Sequence, residues 1–368
     1  MELLFITGAT GLLGAGSLGR LLRANPALGA RVLVRDAARW ESLAASLGAD
    51  AARVQPVVGD LREPGLGLDA AARERAGRGV VAILHAAAGT SFSQTLEEAR
   101  ATNVEGTRRL LHAAGGWADL RRVAFVSTAF VAGCRTGIVC EEDAPTAAGF
   151  VNAYERSKAE AERLVRDWGR EHGREWTILR SSTVVCDSAQ GEVTQVNAVH
   201  RALRLYYGGL APMLPGTPAT TIDVVTADYV SGAIATLALA PGAAGVTYHL
   251  CAGDGAMPLG ELLDATHEVW RAAPAWRRRA VARPVVADLA TYRLFERSVD
   301  ETGDRRLQQV MRSLAHFVPQ LAHPKRFDTA NADRALGGPA PAVREFWRNM
   351  VERLADGRTG RAMLREVA

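Results

Sequence analysis

A glycine-rich loop near the start of the chain restricts the possible folds more than any other feature. The segment TGATGLLG places Gly8, Gly11 and Gly14 after the apolar run 2–7 and before a helical pattern over 12–24. A turn this tight between a strand and a helix requires residues without a Cβ. The helix N-terminus then offers N–H groups and a positive dipole end, which suit a pyrophosphate group. A tight structural turn without a ligand is the alternative interpretation.

Short apolar runs alternate with helical patterns as far as about residue 187, which is typical of a parallel sheet covered by helices on both faces. The runs predict strands over 2–7, 30–35, 54–60, 80–87, 121–129 and 175–182, and the patterns predict helices over 12–24, 97–114 and 153–172, the last capped by Asn152. We therefore expect an α/β fold with a doubly wound parallel sheet in residues 1–186.

The alternation of apolar runs with helical patterns becomes less regular in the second half of the chain. A Gly- and Pro-rich stretch over 208–221 precedes a predicted helix over 227–239 and a predicted strand over 245–250, and the remainder is mainly helical and basic. We expect 187–368 to form a smaller substrate-binding lobe over the carboxyl ends of the strands, with some segments returning to the sheet.

The end of the second predicted strand carries Arg35, 21 residues after Gly14. Dinucleotide sites that select NAD usually place an acidic residue here to hold the ribose 2′-hydroxyl, whereas a guanidinium suits a 2′-phosphate. Arg39 stands one turn later and Asp36 adjoins. The pattern favours NADP(H), and a solvated arginine at the strand end is the alternative.

Tyr154 and Lys158 stand four residues apart in the segment NAYERSK. The chain has 44 lysine and arginine residues, yet Lys158 and Lys325 are its only lysines. On one helix face the ammonium lies about one turn from the phenol, where a positive charge is expected to lower the tyrosine pKa. Ser127 and Thr128 end the fifth predicted strand. This set suits proton transfer to a carbonyl oxygen, although an ordinary helix surface gives the same spacing.

Composition excludes several classes of protein. Apolar residues make up 48% and charged residues 23%, and no apolar run approaches the length of a membrane span. The N-terminus has no signal-peptide pattern, so we expect a cytoplasmic protein. The four cysteines have no metal-ligand or disulfide spacing, and no metal site is predicted. The arginines are dispersed rather than clustered with aromatic residues, which argues against nucleic-acid binding.

Seven motifs occur in order along the first half of the chain: TGATGLLG, GDL (59–61), HAAA (85–88), NVEGT (103–107), ST (127–128), YERSK (154–158) and LRSSTV (179–184). Together they resemble the extended branch of the short-chain dehydrogenase/reductase superfamily, which implies a Rossmann-type sheet. The resemblance implies that Thr128 holds the substrate oxygen, Tyr154 is the acid–base residue and Lys158 binds the nicotinamide ribose.

The same resemblance implies roles for residues around that catalytic set. Asn103 would help to order a water-linked proton path, and Asp60 and Leu61 would flank the adenine. The full set of residues implied to bind the cofactor is Gly8, Thr10, Gly11, Leu12, Leu13, Gly14, Arg35, Asp60, Leu61, Ala86, Ala87, Ser127, Tyr154, Lys158, Ser181, Thr183 and Val184.

Longer segments are similar to the thioester-reductase and fatty-acyl reductase group within that branch. They are FVSTAFVAGCRTG, CEED, GFVNAYERSKAEAE, LLRANPALGARVLVRD and LPGTPATTIDVVTADYV. The similarity implies NADPH-dependent reduction of an acyl thioester, on coenzyme A or a carrier protein, to an aldehyde and in some members to an alcohol. It also implies a possible homodimer through the helices predicted over 97–114 and 153–172.

Alternatives remain at this point. A stand-alone reductase of free aldehydes or ketones fits the same residues. A sugar-nucleotide epimerase or dehydratase shares the fold and the Thr–Tyr–Lys set but retains its NAD. A non-catalytic dinucleotide sensor typically lacks the tyrosine or the lysine, and both are present here.

Three further features have a functional and a structural interpretation. His85 ends the fourth predicted strand, where packing is commoner than catalysis. Tyr206 and Tyr207 could line a substrate pocket or lie in the core. The arginine-rich run 271–283 could receive the phosphates of coenzyme A or an acidic carrier protein, or be a solvated face.

Overall fold

Seven parallel strands form one sheet at the centre of the computed structural model, which describes residues 2–144, 148–315 and 318–355. They are β1 (Leu3–Thr7), β2 (Gly29–Val34), β3 (Val54–Val58), β4 (Val80–His85), β5 (Arg122–Thr128), β6 (Glu175–Ser181) and β7 (Val246–Leu250). Their order across the sheet is β3-β2-β1-β4-β5-β6-β7, so the winding reverses between β1 and β4. In open α/β sheets the crevice at this reversal is where ligands bind. The predicted doubly wound parallel sheet is confirmed.

Alternation along the strands explains why helices cover both faces of the sheet. In β1, Leu4 and Ile6 belong to one core while Phe5 belongs to the other, and all three are fully buried. Successive side chains of a strand point to opposite faces, so a strand that is apolar at every position must be covered on both sides.

The helices are α1 (Leu12–Ala24), α2 (Ala37–Leu47), α3 (Ala70–Gly77), α4 (Leu96–Asn103), α5 (Glu105–Ala114), α6 (Ala153–Glu171), α7 (Ala198–Tyr207), α8 (Ala227–Leu237), α9 (Leu259–Ala272), α10 (Pro274–Arg277), α11 (Leu289–Thr302), α12 (Arg305–Leu314), α13 (Ala330–Leu336) and α14 (Val343–Ala355). Helices α1 and α8 pack together, and α6 packs against α4, α5 and β5. Asn152 caps α6 as predicted, its side chain accepting from the Glu155 N–H.

One helix that was predicted to be continuous is interrupted in the structure. The helix expected over 97–114 is divided at Val104 into α4 and α5. Val104 N still donates to Arg100 O and Arg108 N to Val104 O, so α5 follows α4 almost without a gap. The break places Asn103 at the end of α4, with its side chain directed to the loop after β4.

The second half of the chain contributes both to the sheet and to a lobe beside it. Strand β7 extends the sheet, and α8 lies on α1. The lobe is joined to the rest by short strand pairs, among them Lys325–Phe327 with Gly137–Val139. Residues 316–317 and 356–368 of the predicted lobe lie outside the described residues. Throughout the described ranges, each helix is too short or too polar to span a bilayer.

Candidate active site

The glycine loop after β1 forms a cradle with no room for side chains. A Cβ on Gly8 would lie 2.5 Å from Ala87 N, and one on Gly14 would lie 2.1 Å from Gly8 O. Gly8 also has a φ of +73°, which favours glycine. Gly11 is the N-cap of α1 and has no side chain, so it makes no side-chain capping bond to the N–H groups of the first turn. Those groups fit a pyrophosphate.

The residues after β2 have separate partners. Asp36 caps α2 by accepting from Arg39 N at 2.9 Å, and its second oxygen pairs with Arg39 Nε at 3.3 Å. The carboxylate of Asp36 and the guanidinium of Arg39 therefore serve their own helix. Arg35 is exposed at the end of β2. Hydrogen bonds from Arg62 lower the pKa of Asp60, and the charge of Arg35 contributes less.

Thr128 and Tyr154 are brought close together where β5 ends and α6 begins. Burial raises the pKa of Tyr154 to about 12, although the nearby Thr128 hydroxyl opposes the rise. Thr128 Oγ1 also donates to Ser181 O at 3.3 Å and accepts from Phe130 N. The ring of Phe92 lies 5.5 Å from that of Tyr154. A phenol with this pKa stays protonated at neutral pH and has a proton to donate.

Lys158 lies one turn along α6 but is held by other groups. Its Nζ donates to Val126 O at 2.7 Å and lies 3.9 Å from the centre of the Phe125 ring. Burial lowers the pKa of Lys158 to about 7, although the charge of Glu162 opposes this. The expectation that Lys158 lowers the pKa of Tyr154 is wrong for this arrangement, because burial dominates and the amine is directed to a carbonyl of β5.

Asn103 ties the loop after β4 to the catalytic helix. Its Nδ2 donates to Gly89 O at 3.1 Å and to Ser157 Oγ at 2.9 Å, and its Oδ1 accepts from Gly89 N at 2.7 Å. The side chain is 2% exposed. These bonds give Asn103 a positioning role, and the water-linked proton path stays a prediction.

The other predicted cofactor residues follow the carboxyl ends of the sheet strands. Ala86 N and Ala87 N donate to the backbone and side chain of Thr7 at the end of β1. Leu61 follows β3 and is buried in the core. The remaining members lie in the glycine loop, at the start of α1 or at the ends of β5 and β6: Thr10, Leu12, Leu13, Ser127, Ser181, Thr183 and Val184.

His85 and Tyr206 are structural in this arrangement. His85 is buried, hydrogen-bonds to Thr7 at 2.6 Å and Thr107 at 2.9 Å, and its pKa falls to about 3 because of burial, so the imidazole is neutral. Tyr206 bonds His267 at 2.8 Å and packs on Trp270. Tyr207, by contrast, is only half-buried, under Arg279.

A buried polar network beside Tyr154 was not predicted. Glu155 Oε1 accepts from Gln320 Nε2 at 2.6 Å, and Lys325 Nζ donates to Gln320 Oε1 at 2.7 Å and to Gly133 O at 2.8 Å. Burial raises the pKa of Glu155 to about 7 and lowers that of Lys325 to about 8. The rarity of lysine was the one sequence feature that could have singled out Lys325.

A cavity of about 120 Å³ is lined by neighbours of Thr128 and Tyr154, although by neither residue itself. Phe92 and Phe130, which contact Tyr154 and Thr128, form part of its wall. Its other lining residues include Glu155, Thr183, Val199, Ile222, Gln320, Leu321, Lys325 and Phe327. A larger groove of about 780 Å³ runs along the outer face of α6, and its lining lacks Phe92, Phe130 and the predicted cofactor residue Thr183. The small cavity is therefore the candidate substrate site.

Comparisons with known proteins agree with this fold. A terminal R domain from the myxalamid PKS-NRPS biosynthetic pathway superposes with a TM-score of 0.78 and 28% identity over 99% of this chain and 92% of that one. The L-2-aminoadipate reductase large subunit of Penicillium chrysogenum is 28% identical over 91% of this chain. A linear gramicidin synthase of Brevibacillus parabrevis is 30% identical over 67% of it.

The chain spans 25% and 5% of the lengths of the latter two relatives. The family model described as male sterility protein matches residues 6–234, which include the glycine loop and Tyr154. The residues of the cradle fit the nicotinamide dinucleotide that this NAD-binding family implies. The chain belongs to the male sterility protein family of the extended short-chain dehydrogenase/reductase superfamily.

Proposed function

We propose that this chain is an NADPH-dependent oxidoreductase that reduces an acyl thioester, carried on coenzyme A or a carrier protein, to an aldehyde. The observation that carries the proposal is the placement of Thr128 and Tyr154 side by side at the carboxyl end of the sheet, next to a small cavity lined mainly by apolar side chains. The similarity to a terminal R domain over 99% of the chain supports the thioester as substrate. Reduction of the aldehyde to an alcohol is a further step of the same chemistry.

Thr128 and Tyr154 have different roles in this reaction. The hydroxyls of Thr128 and Tyr154 hold the thioester carbonyl oxygen. The glycine cradle would hold a nicotinamide cofactor, which when bound would supply a hydride to the carbonyl carbon. Tyr154 donates its proton to the oxygen, which gives a hemithioacetal because the alkoxide is a stronger base than the phenolate. The hemithioacetal returns that proton to Tyr154, its C–S bond breaks, the thiolate takes a proton from solvent, and the aldehyde leaves.

The proposed preference for NADPH rests on the residues after β2. Arg35 is exposed at the position where a ribose 2′-phosphate would lie, while Asp36 is occupied as the cap of α2. A guanidinium offers paired, charge-assisted hydrogen bonds to a phosphate. Lys158, held by Val126 O, would lie under the nicotinamide ribose.

The test is oxidation of NADPH by the purified protein with a matched set of substrates: an acyl-pantetheine thioester, the corresponding aldehyde and a ketone analogue, each with NADH in parallel. We expect turnover of the thioester with NADPH and the appearance of aldehyde. Turnover of the ketone or aldehyde alone would contradict a thioester reductase. Tightly bound NAD with no net oxidation would instead indicate an epimerase.

A further inference from the structure

We propose that the acyl group accepted by this site is short and apolar, with about six carbon atoms or fewer, or a single aromatic ring. This inference rests on the proposed function and names the substrate class of the same site. Three features of the cavity beside Tyr154 support it: its volume, the hydrogen-bonded network of its floor and its aromatic walls.

The volume sets the upper limit. A dry cavity of about 150 Å³ accepts benzene, and the cavity here measures about 120 Å³. An acyl chain much longer than six carbons would have to displace lining side chains or extend into solvent through the open side of the cavity. Repacking the interior and leaving apolar surface in water are both unfavourable.

The Glu155–Gln320–Lys325 network lines one side of the cavity, which we call its floor. The oxygens of Glu155 accept from Gln320, Asn152 Nδ2 and Val151 N, and Lys325 Nζ donates to Gln320 and Gly133. Because these side chains hydrogen-bond with one another and with the backbone, the floor is a fixed wall rather than a polar receptor. An apolar acyl terminus therefore suits it better than a charged one.

Aromatic rings form the walls. Phe130 and Phe327 pack edge to face, with centroids 6.2 Å apart and planes at 90°. Phe92 lies over Tyr154 on the other side. Rings in these orientations accept a flat group by stacking or edge contact, so a benzoyl-type acyl group is included in the expected range.

The test is the specificity constant kcat/KM for NADPH oxidation across pantetheine thioesters of butanoyl, hexanoyl, benzoyl, dodecanoyl and hexadecanoyl groups. We expect hexanoyl or benzoyl to be the best substrate and dodecanoyl to react at least about tenfold more slowly. Equal or faster turnover of the dodecanoyl and hexadecanoyl thioesters would overturn the size limit and leave the proposed function intact.

Failure of the proposed function gives a different result. If no thioester reacts but aldehydes do, the proposed function is contradicted, and the same length series in free aldehydes tests the size limit with the same expectation. Loss of the short-chain preference in that series would overturn the inference.

Two variants change the cavity in opposite directions. Phe130→Ala enlarges it, and we expect the dodecanoyl-to-hexanoyl ratio of kcat/KM to rise about tenfold. Ala198 also lines the cavity, and Ala198→Phe fills it, so we expect the hexanoyl-to-butanoyl ratio of kcat/KM to fall. Leu294→Ala, on an exposed face of α11, is the matched control and should leave the dodecanoyl-to-hexanoyl and hexanoyl-to-butanoyl ratios unchanged. Thermal unfolding and NADPH binding verify that each variant is folded, and unchanged ratios in both folded cavity variants would contradict the assignment.

Discussion

Helix α6 carries two buried glutamates that differ sharply in charge. Glu162 faces the sheet and pairs with Arg180 of β6 through contacts of 2.9 and 3.0 Å. Burial would raise its pKa, but the Arg180 charge overrides this and lowers the pKa of Glu162 to about 2. Glu155 lies two turns earlier, faces the lobe and has a pKa raised to about 7 by burial. Burial is similar in the two cases, so the strength of the cationic partner decides the ionisation.

The two glutamates contact different regions of the chain: Glu162 contacts the sheet and Glu155 contacts the lobe. On the sheet side, ionised pairs and strand hydrogen bonds hold the proposed chemistry: the glycine cradle, Thr128 and Tyr154. On the lobe side, residues 318–327 supply part of the cavity lining and contact groups that titrate near neutrality. We infer that the sheet region determines the reaction and the lobe determines which acyl group is accepted.

The largest expected effect is the loss of turnover in Tyr154→Phe, and Tyr206→Phe in the lobe is its comparison. Tyr154→Phe removes the proton donor, so kcat should fall by about 10²–10⁴-fold while NADPH binding persists. Tyr206→Phe removes a hydroxyl bonded to His267 in the lobe and should cost about 1 kcal/mol of stability without loss of turnover. Steady-state kinetics and cofactor titration compare the two proteins. Full activity in Tyr154→Phe would contradict the mechanism.

The second pair of variants compares an arginine of the sheet region with an arginine of the lobe by its effect on cofactor affinity. Arg35→Ser removes the proposed partner of the 2′-phosphate, so the affinity for NADPH should fall about 10–100-fold with little change for NADH. Arg279→Ser removes a guanidinium that bonds Tyr207 O and Gly208 O in the lobe, and it should leave both affinities unchanged. Isothermal titration with each cofactor measures the difference. An unchanged cofactor preference in Arg35→Ser would remove Arg35 from the site.

The smallest effect concerns pH and stability. The pKa of Glu155 is about 7 in the folded chain against an ordinary value of 4.5, so between these pH values the folded chain keeps a proton that the unfolded chain has released. Its stabilising contribution is complete below about pH 4.5 and is lost as the pH rises through about 7. Relative to Glu155→Gln, wild-type unfolding free energy should therefore fall by an amount on the order of 1 kcal/mol across this window.

Denaturant titrations at several pH values measure this difference. Buried histidines and Glu141 titrate in both proteins and cancel in the comparison. Glu162→Gln is the matched control on the same helix: it lowers stability because Arg180 loses its partner, but its pH dependence across this window should follow the wild type. A difference between wild type and Glu155→Gln that does not vary with pH would show that Glu155 does not titrate there.

The sheet region could be predicted from the sequence because the patterns that indicate it lie within short segments of the chain. Apolar runs with strand periodicity gave β1 to β6, and the glycine spacing gave the cradle. The cavity floor was missed because Gln320 contacts Glu155 across 165 positions of sequence. That contact depends on the pairing of Lys325–Phe327 with Gly137–Val139, which has no sequence motif. The influence of Lys158 on Tyr154 was misjudged because the carbonyl of Val126 competes for the ammonium.

The most direct test of the central claim is to follow the hydride itself. NADPH carrying deuterium at the transferable position is incubated with hexanoyl-pantetheine and the protein, and the aldehyde is analysed by mass spectrometry as it forms. We expect aldehyde with deuterium on its carbonyl carbon, released together with free pantetheine, and none from Tyr154→Phe over the same time. Aldehyde without deuterium, or no thioester cleavage by the intact protein, would contradict it.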